Sequence, residues 1–189
     1  MKYNPNIHHP KSIRLHGYDY SQNGAYFVTI CVQNRENRFG RIEDGRMFLN
    51  DVGEMIDKYW NQLKQKYFYV TLDEYVIMPN HIHGIIVIND MVGAGLVPAQ
   101  NNSGKRATTR VAPTIGNIVG AFKSLTTHEY INGVKNKNWQ PFSSRIWQRN
   151  YYEHIIRKDE DLDRIREYIN LNPKNWEKDE LFFPRMSYS

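Results

Sequence analysis

With a single cysteine, Cys31, among 189 residues, the chain can build neither a disulfide framework nor a zinc site of four thiolates. No run approaches the roughly 20 apolar residues that a membrane helix needs. The opening MKYNPNIHHPKS has no apolar core of the signal-peptide kind, so the expected location is cytoplasmic. A glycine-rich phosphate loop is missing as well. The stretch SGKR imitates one, but the glycine spacing before it is wrong and no strand leads directly into it, so no nucleotide cofactor is expected. No internal repeat is evident. The length suits one domain spanning 1–189 and is too short for two.

What is present is basic and aromatic. Twenty-five Lys and Arg against 20 Asp and Glu give a net charge of +5, which favours polyanionic partners. Thirteen Tyr and four Trp supply flat faces on which unpaired bases can stack, although most of those rings must serve the core.

Residues 25–33, AYFVTICVQ, are β-branched and aromatic between polar flanks and read as a buried strand; RMFLN at 46–50 reads as a shorter one. From Asp51 the period changes. Asp51 with Glu54 forms a capping box, and Val52, Ile56, Tyr59 and Leu63 mark a helix over 51–66. EYVIM and HIHGIIVI, separated by Pro79-Asn80, suit an antiparallel hairpin. Residues 90–113 lose apolar periodicity and carry Lys105, Arg106 and Arg110, which predicts a basic loop insertion. A helix is expected over 114–130 and a strand over 146–157. Asp159 can cap a last helix whose core stripe is Leu162, Ile165 and Ile169; it ends near Asn172 because Pro173 follows, and a short tail runs on after about 176. This order predicts an α+β sandwich, an antiparallel sheet with helices packed mainly on one face.

Two features carry chemistry. His81 and His83 are one residue apart on a strand, so both project from one face with Cβ atoms roughly 6.5–7 Å apart, and their rings can converge on one ion. On the last helix, Arg164, Tyr168 and Asn172 follow at i+4 and share a face. Tyr168 can then act beside a metal held by His81, His83 and the amide oxygen of Asn172. A phenol with a pKa near 10 needs a neighbouring cation or base before it is a good nucleophile, and a divalent ion would also neutralise a scissile phosphate. Amidohydrolase barrels share an HxH pair but need some 250 residues, which this chain lacks.

The stretches SIRLHGYDYSQNGAYFVTICVQNRENRFG, EYVIMPNHIHGIIVI, AFKSLTTHEYI, IWQRNYYEHIIR and IREYINLNPKNW resemble, in that order, the REP-associated tyrosine transposases of the IS200/IS605-like single-tyrosine group, over roughly residues 12 to 176. The resemblance implies a ferredoxin-like fold and a His-hydrophobic-His pair that binds Mg or Mn. It implies also a tyrosine that cuts single-stranded or hairpin DNA, leaving a 5′-phosphotyrosine link and a free 3′-hydroxyl. The pair falls on His81 and His83 and the nucleophile on Tyr168; Asn172 stands where IS200-type enzymes place a glutamine, a shorter arm for the third ligand.

Tyr151 and Tyr152, beside the family-like His154, compete for the nucleophile's role, but a helix can swing its tyrosine where a central strand cannot. Arg14, Lys123, Arg149 and Arg157 are the candidate DNA-binding cations. Three readings stay open: a transposase, a binding protein of the same fold that has lost catalysis, and a relative of replication initiators or relaxases. Related enzymes assemble sites across a homodimer, and nothing in this sequence reports an interface.

Overall fold

A computed structural model describes residues 23–89, 114–179 and 181. Arg14 and the whole of the expected basic loop, with Lys105, Arg106 and Arg110, lie outside the described residues.

Strand β1 (Gly24–Cys31) lies at the centre of the fold, paired antiparallel on one side with β5 (His81–Ile88) and on the other with β6 (Tyr152–Ile156). Strand β4 (Val70–Met78) pairs antiparallel with β5 across Pro79-Asn80, so the expected hairpin is present and the sheet order is β4-β5-β1-β6. The first helix, α1 (Asp51–Asn61), enters between β1 and β4, and the long helix α3 (Ile115–Asn136) between β5 and β6. This is the α+β sandwich that the element order predicts, in the ferredoxin-like arrangement that the family resemblance implies.

Alternation along β1 and β5 decides what each face holds. Tyr26, Val28 and Ile30 of β1 join Ile82, Ile86 and Ile88 of β5 in the main core, closed by Ile56 and Trp60 of α1 and by Ile118 and Phe122 of α3. Gly84 is what lets α1 come so near, because a Cβ there would collide with the indole of Trp60. The intervening residues Phe27 and Ile85 face the other way, under α4 (Asp159–Leu171). Helices α1 and α3 thus share one face as expected, and α4 alone covers the other.

Four local expectations are corrected. The cap of α1 is Asn50, in extended conformation, whose side chain accepts from the Gly53 amide at 2.9 Å and donates to the Arg38 carbonyl at 3.0 Å; Asp51 and Glu54 instead fill the first turn, where their charge suits the helix dipole. The helix over 51–66 is broken at Gln62, leaving a short α2 (Leu63–Lys66). The strand expected over 146–157 is regular only in β6, and before it a single bridge joins Trp147 to Val32. The 46–50 strand has a partner that sequence reading missed: β2 (Gly40–Glu43) pairs with β3 (Arg46–Leu49) through Asp44-Gly45, both at positive φ, the geometry of a tight hairpin turn. No helix among the described residues is long and apolar enough to cross a membrane.

Candidate active site

His81 and His83 open β5 directly after the hairpin turn, on the face away from the main core, and both are almost wholly buried. Their ring centroids are 4.4 Å apart. Each ring is held from behind. Asn80 Nδ2 donates to the carbonyls of Arg35 (3.0 Å) and Leu181 (2.8 Å), which fixes the amide so that its Oδ1 accepts from His81 Nδ1 at 2.8 Å. The lone pair of His81 must then reside on Nε2. His83 is held through Nδ1, 2.8 Å from Thr29 Oγ1, and stacks on Phe27 with centroids 5.4 Å apart. Burial takes the His83 pKa down to about 3, and burial, with the neighbouring His83 second, holds His81 well below its ordinary value. Both imidazoles are therefore neutral near pH 7, the state in which they ligate metals.

Helix α4 brings the phenol. Its Leu162, Ile165 and Ile169 pack on Phe27, Ile85 and Ile156, as the apolar stripe predicts, and Asp159, Glu160 and Asp161 load its first turn. Lys158 rather than Asp159 is at the cap position, with no side-chain cap bond. This register carries Tyr168 over β5, with its hydroxyl 3.2 Å from His83 Nε2 and its ring edge-on to Phe27. The helix is pinned at β4 by a two-pronged ion pair, Arg166 Nε to Asp73 Oδ1 (2.8 Å) and Nη2 to Oδ2 (2.6 Å). Asp73 sits where the β4–β5 register slips between Leu72 and Tyr75.

The competing tyrosines, Tyr151 and Tyr152, line the same cavity as Tyr168, but it is the Tyr168 hydroxyl that stands 3.2 Å from His83 Nε2. Tyr151 donates to Glu153 at 2.6 Å and is partly buried against the main core. Tyr152 is 46% exposed at the edge of the cavity, its ring 6.2 Å from Phe27. His154 is exposed on β6, opposite Phe27.

One acidic group was missed by sequence reading. After α4 the chain makes a 3-10 turn, Pro173–Lys178, whose buried Trp176 lies against the His81 ring (centroids 5.9 Å) and delivers Asp179 to the pair. The Leu181 amide donates to Asp179 Oδ1 at 2.7 Å, leaving Oδ2 facing His81 Nε2 at 3.9 Å. Ligand atoms of His81, His83 and Asp179 lie within 4.8 Å of one another. His81 Nε2, Asp179 Oδ2 and the Asn172 amide oxygen are buried without hydrogen-bond partners. A lone pair set against a carboxylate oxygen is unfavourable with nothing between them, whereas a cation would satisfy both. Two neutral imidazoles and a carboxylate are a donor set that can hold a divalent cation. The residues present fit a divalent ion.

Asn172, Tyr168, His83 and Asp179 line one cavity of about 710 Å³, together with Phe27 and Tyr152. Of the candidate DNA-binding cations, Arg149 and Arg157 are exposed. Lys123 is not at the surface in the same sense: its Nζ donates to the carbonyls of Gln148 (3.0 Å), Arg149 (3.4 Å) and Asn150 (3.1 Å) and lies over the Tyr151 ring. Burial brings its pKa down to about 8, while the three carbonyl oxygens favour the ammonium.

No family model matches the chain. An uncharacterized protein of Haemophilus influenzae is 43% identical over 182 residues, covering 96% of this chain and 97% of its own length. A second protein of that organism, provisionally named a REP-associated tyrosine transposase, is 27% identical over 158 residues, 82% of this chain and 73% of its own. Among solved structures, a REP-associated tyrosine transposase bound to a REP hairpin superposes with a TM-score of 0.55 at 17% identity, covering 91% of this chain and 89% of the other.

Proposed function

We propose, for a chain that belongs with the REP-associated tyrosine transposases, that it is a metal-dependent transposase and endonuclease, which cuts and rejoins single-stranded DNA at repeated palindromic hairpins through a 5′-phosphotyrosine intermediate. The observation that carries this reading is the approach of the Tyr168 hydroxyl to 3.2 Å from His83 Nε2, beside a second neutral histidine.

His81, His83 and Asp179 would hold the ion, with the Asn172 amide oxygen as a further ligand. A bound divalent cation supplies charge neutralisation for the scissile phosphate. The chain's own groups do the rest. Asn80 and Thr29 hold the two imidazoles in place from their Nδ1 sides. Tyr168 Oη forms the new bond to phosphorus as the bond from phosphorus to the 3′ oxygen breaks. The phenol gives up its proton, the departing oxygen takes one, and nothing is oxidised or reduced. Tyr152, 46% exposed at the rim of the same cavity, offers a ring face to unpaired bases. DNA, single-stranded or as a hairpin, is the partner that the net charge and the hairpin bound by the structural relative both support.

The test is covalent capture. Incubated with Mn and single-stranded DNA carrying a palindromic hairpin, the protein should give an adduct that survives denaturation, and Tyr168→Phe should give none while melting at the wild-type temperature. An adduct of undiminished yield in Tyr168→Phe would move the nucleophile elsewhere. Salt-sensitive hairpin binding with no cleavage by the wild type would favour the binding-protein reading.

A further inference from the structure

Beside the active-site cavity lies a second groove of about 440 Å³, between α3 and the segment 145–149. Gln148 lines both, so the two adjoin at that residue. The ridge between them is the run Gln148, Arg149, Asn150, with Arg149 on the groove side and Asn150 on the cavity side. Lys123 grips the three consecutive carbonyls of that run from beneath, so its charge holds the ridge and is not offered outward. The groove's outward cations are Arg145 and Arg149, both exposed, and its α3 wall adds Ser124, Thr127 and His128. No acidic residue lines it among the described residues.

A trough whose charged groups are all cations, with hydroxyls and an imidazole beside the apolar Ile131, Ile146 and Trp147, and that adjoins the candidate cutting site, can take a phosphodiester backbone on its guanidinium groups. We infer that one arm of the single-stranded DNA crosses the ridge at Gln148 and lays its phosphates along this groove, against Arg145 and Arg149. The arm is held by charge and not by base identity, because the groove offers its two guanidinium groups to whatever backbone follows the cut. This inference rests on the reading of the adjoining cavity as a DNA-cutting site.

Its test needs no cleavage. Binding of fluorescein-labelled oligo(dT) of about 15 residues is followed by anisotropy in EDTA over a range of salt, with the full chain, an Arg145→Ala/Arg149→Ala double variant and a Lys64→Ala/Lys66→Ala control on α2, outside both cavities. Two lost phosphate contacts should flatten the plot of log affinity against log salt by about 1.4 and weaken binding roughly tenfold at low salt, with the control unchanged. A slope equal to wild type, or a control that costs as much, overturns the path. Wild-type protein that shows this salt signature yet never forms an adduct keeps the path and loses the cutting reading. Protein that cuts DNA while the double variant binds normally does the reverse.

Discussion

On one face of the four-stranded sheet, Tyr26, Val28, Ile30, Ile82 and Ile86 are sealed beneath two helices; on the other, Phe27, Ile85, Ile156 and Ile169 form a far smaller cluster beneath one. The same strands supply both. On β5 the isoleucines at 82, 86 and 88 turn into the thick core, while His81, His83 and Ile85 turn out to the thin one. The thick side can therefore supply most of the hydrophobic stability, leaving the thin side room for buried imidazoles, unpartnered oxygens and a cavity, features that would be costly in a close-packed core. Helix α4 reflects this: its only buried residue is Ile169, and Tyr168 is 46% exposed.

The contrast can be broken or sharpened. Trp60 is fully buried between α1, Gly84 and Phe122, so Trp60→Ala should lose about 3–5 kcal/mol in chemical denaturation. A loss near zero would mean that the thick face is not what holds the fold. A divalent ion should act from the thin face: at a hundredfold excess over its dissociation constant it should add about 2.7 kcal/mol, seen as a raised melting temperature, and His83→Ala should abolish that shift. Ile169→Ala should cost about 2 kcal/mol, at the low end for a buried isoleucine because α4 can settle onto the small cluster. Amide exchange should quicken over 159–171 before it does in α3; uniform quickening would count against a separable α4.

The smallest effect is electrostatic. The hydrogen bond from Arg166 lowers the pKa of Asp73 below its ordinary 3.8. A carboxylate with a depressed folded-state pKa adds stability that is complete above that ordinary value and is lost as pH falls through the lowered one. The acid limb of the wild-type melting curve should therefore be steeper than that of Asp73→Asn between about pH 5 and pH 2. Identical limbs would mean that the pair does not hold α4.

Much of this was legible in the sequence, for reasons that differ by residue. The HIHGIIVI run announces both faces of β5 at once, because period-2 alternation is a local property. The stripe of Leu162, Ile165 and Ile169 likewise sets which side of α4 packs, and with it where Tyr168 stands. Asp179 was not legible: its approach to His81 depends on Trp176 docking against that ring, a contact made across about 95 residues of chain and marked by no spacing, while the Leu181 amide two residues on only orients the carboxylate. Strand β2 was legible and missed, since Asp44-Gly45 is a hairpin turn signal. Lys123 shows the opposite limit. A cation in a basic segment invites a ligand, and only the fold shows three carbonyls of its own chain already gathered round it.

The Asp73 and Arg166 pair, together with the Ile169 cluster, seats the tyrosine helix on strands of its own polypeptide. Histidines and phenol are thus inherited as a single parcel. Copies lacking His83 and copies lacking Tyr168, mixed in one tube, should then stay as inactive as either alone; activity restored by mixing would mean that the helix is exchanged between copies.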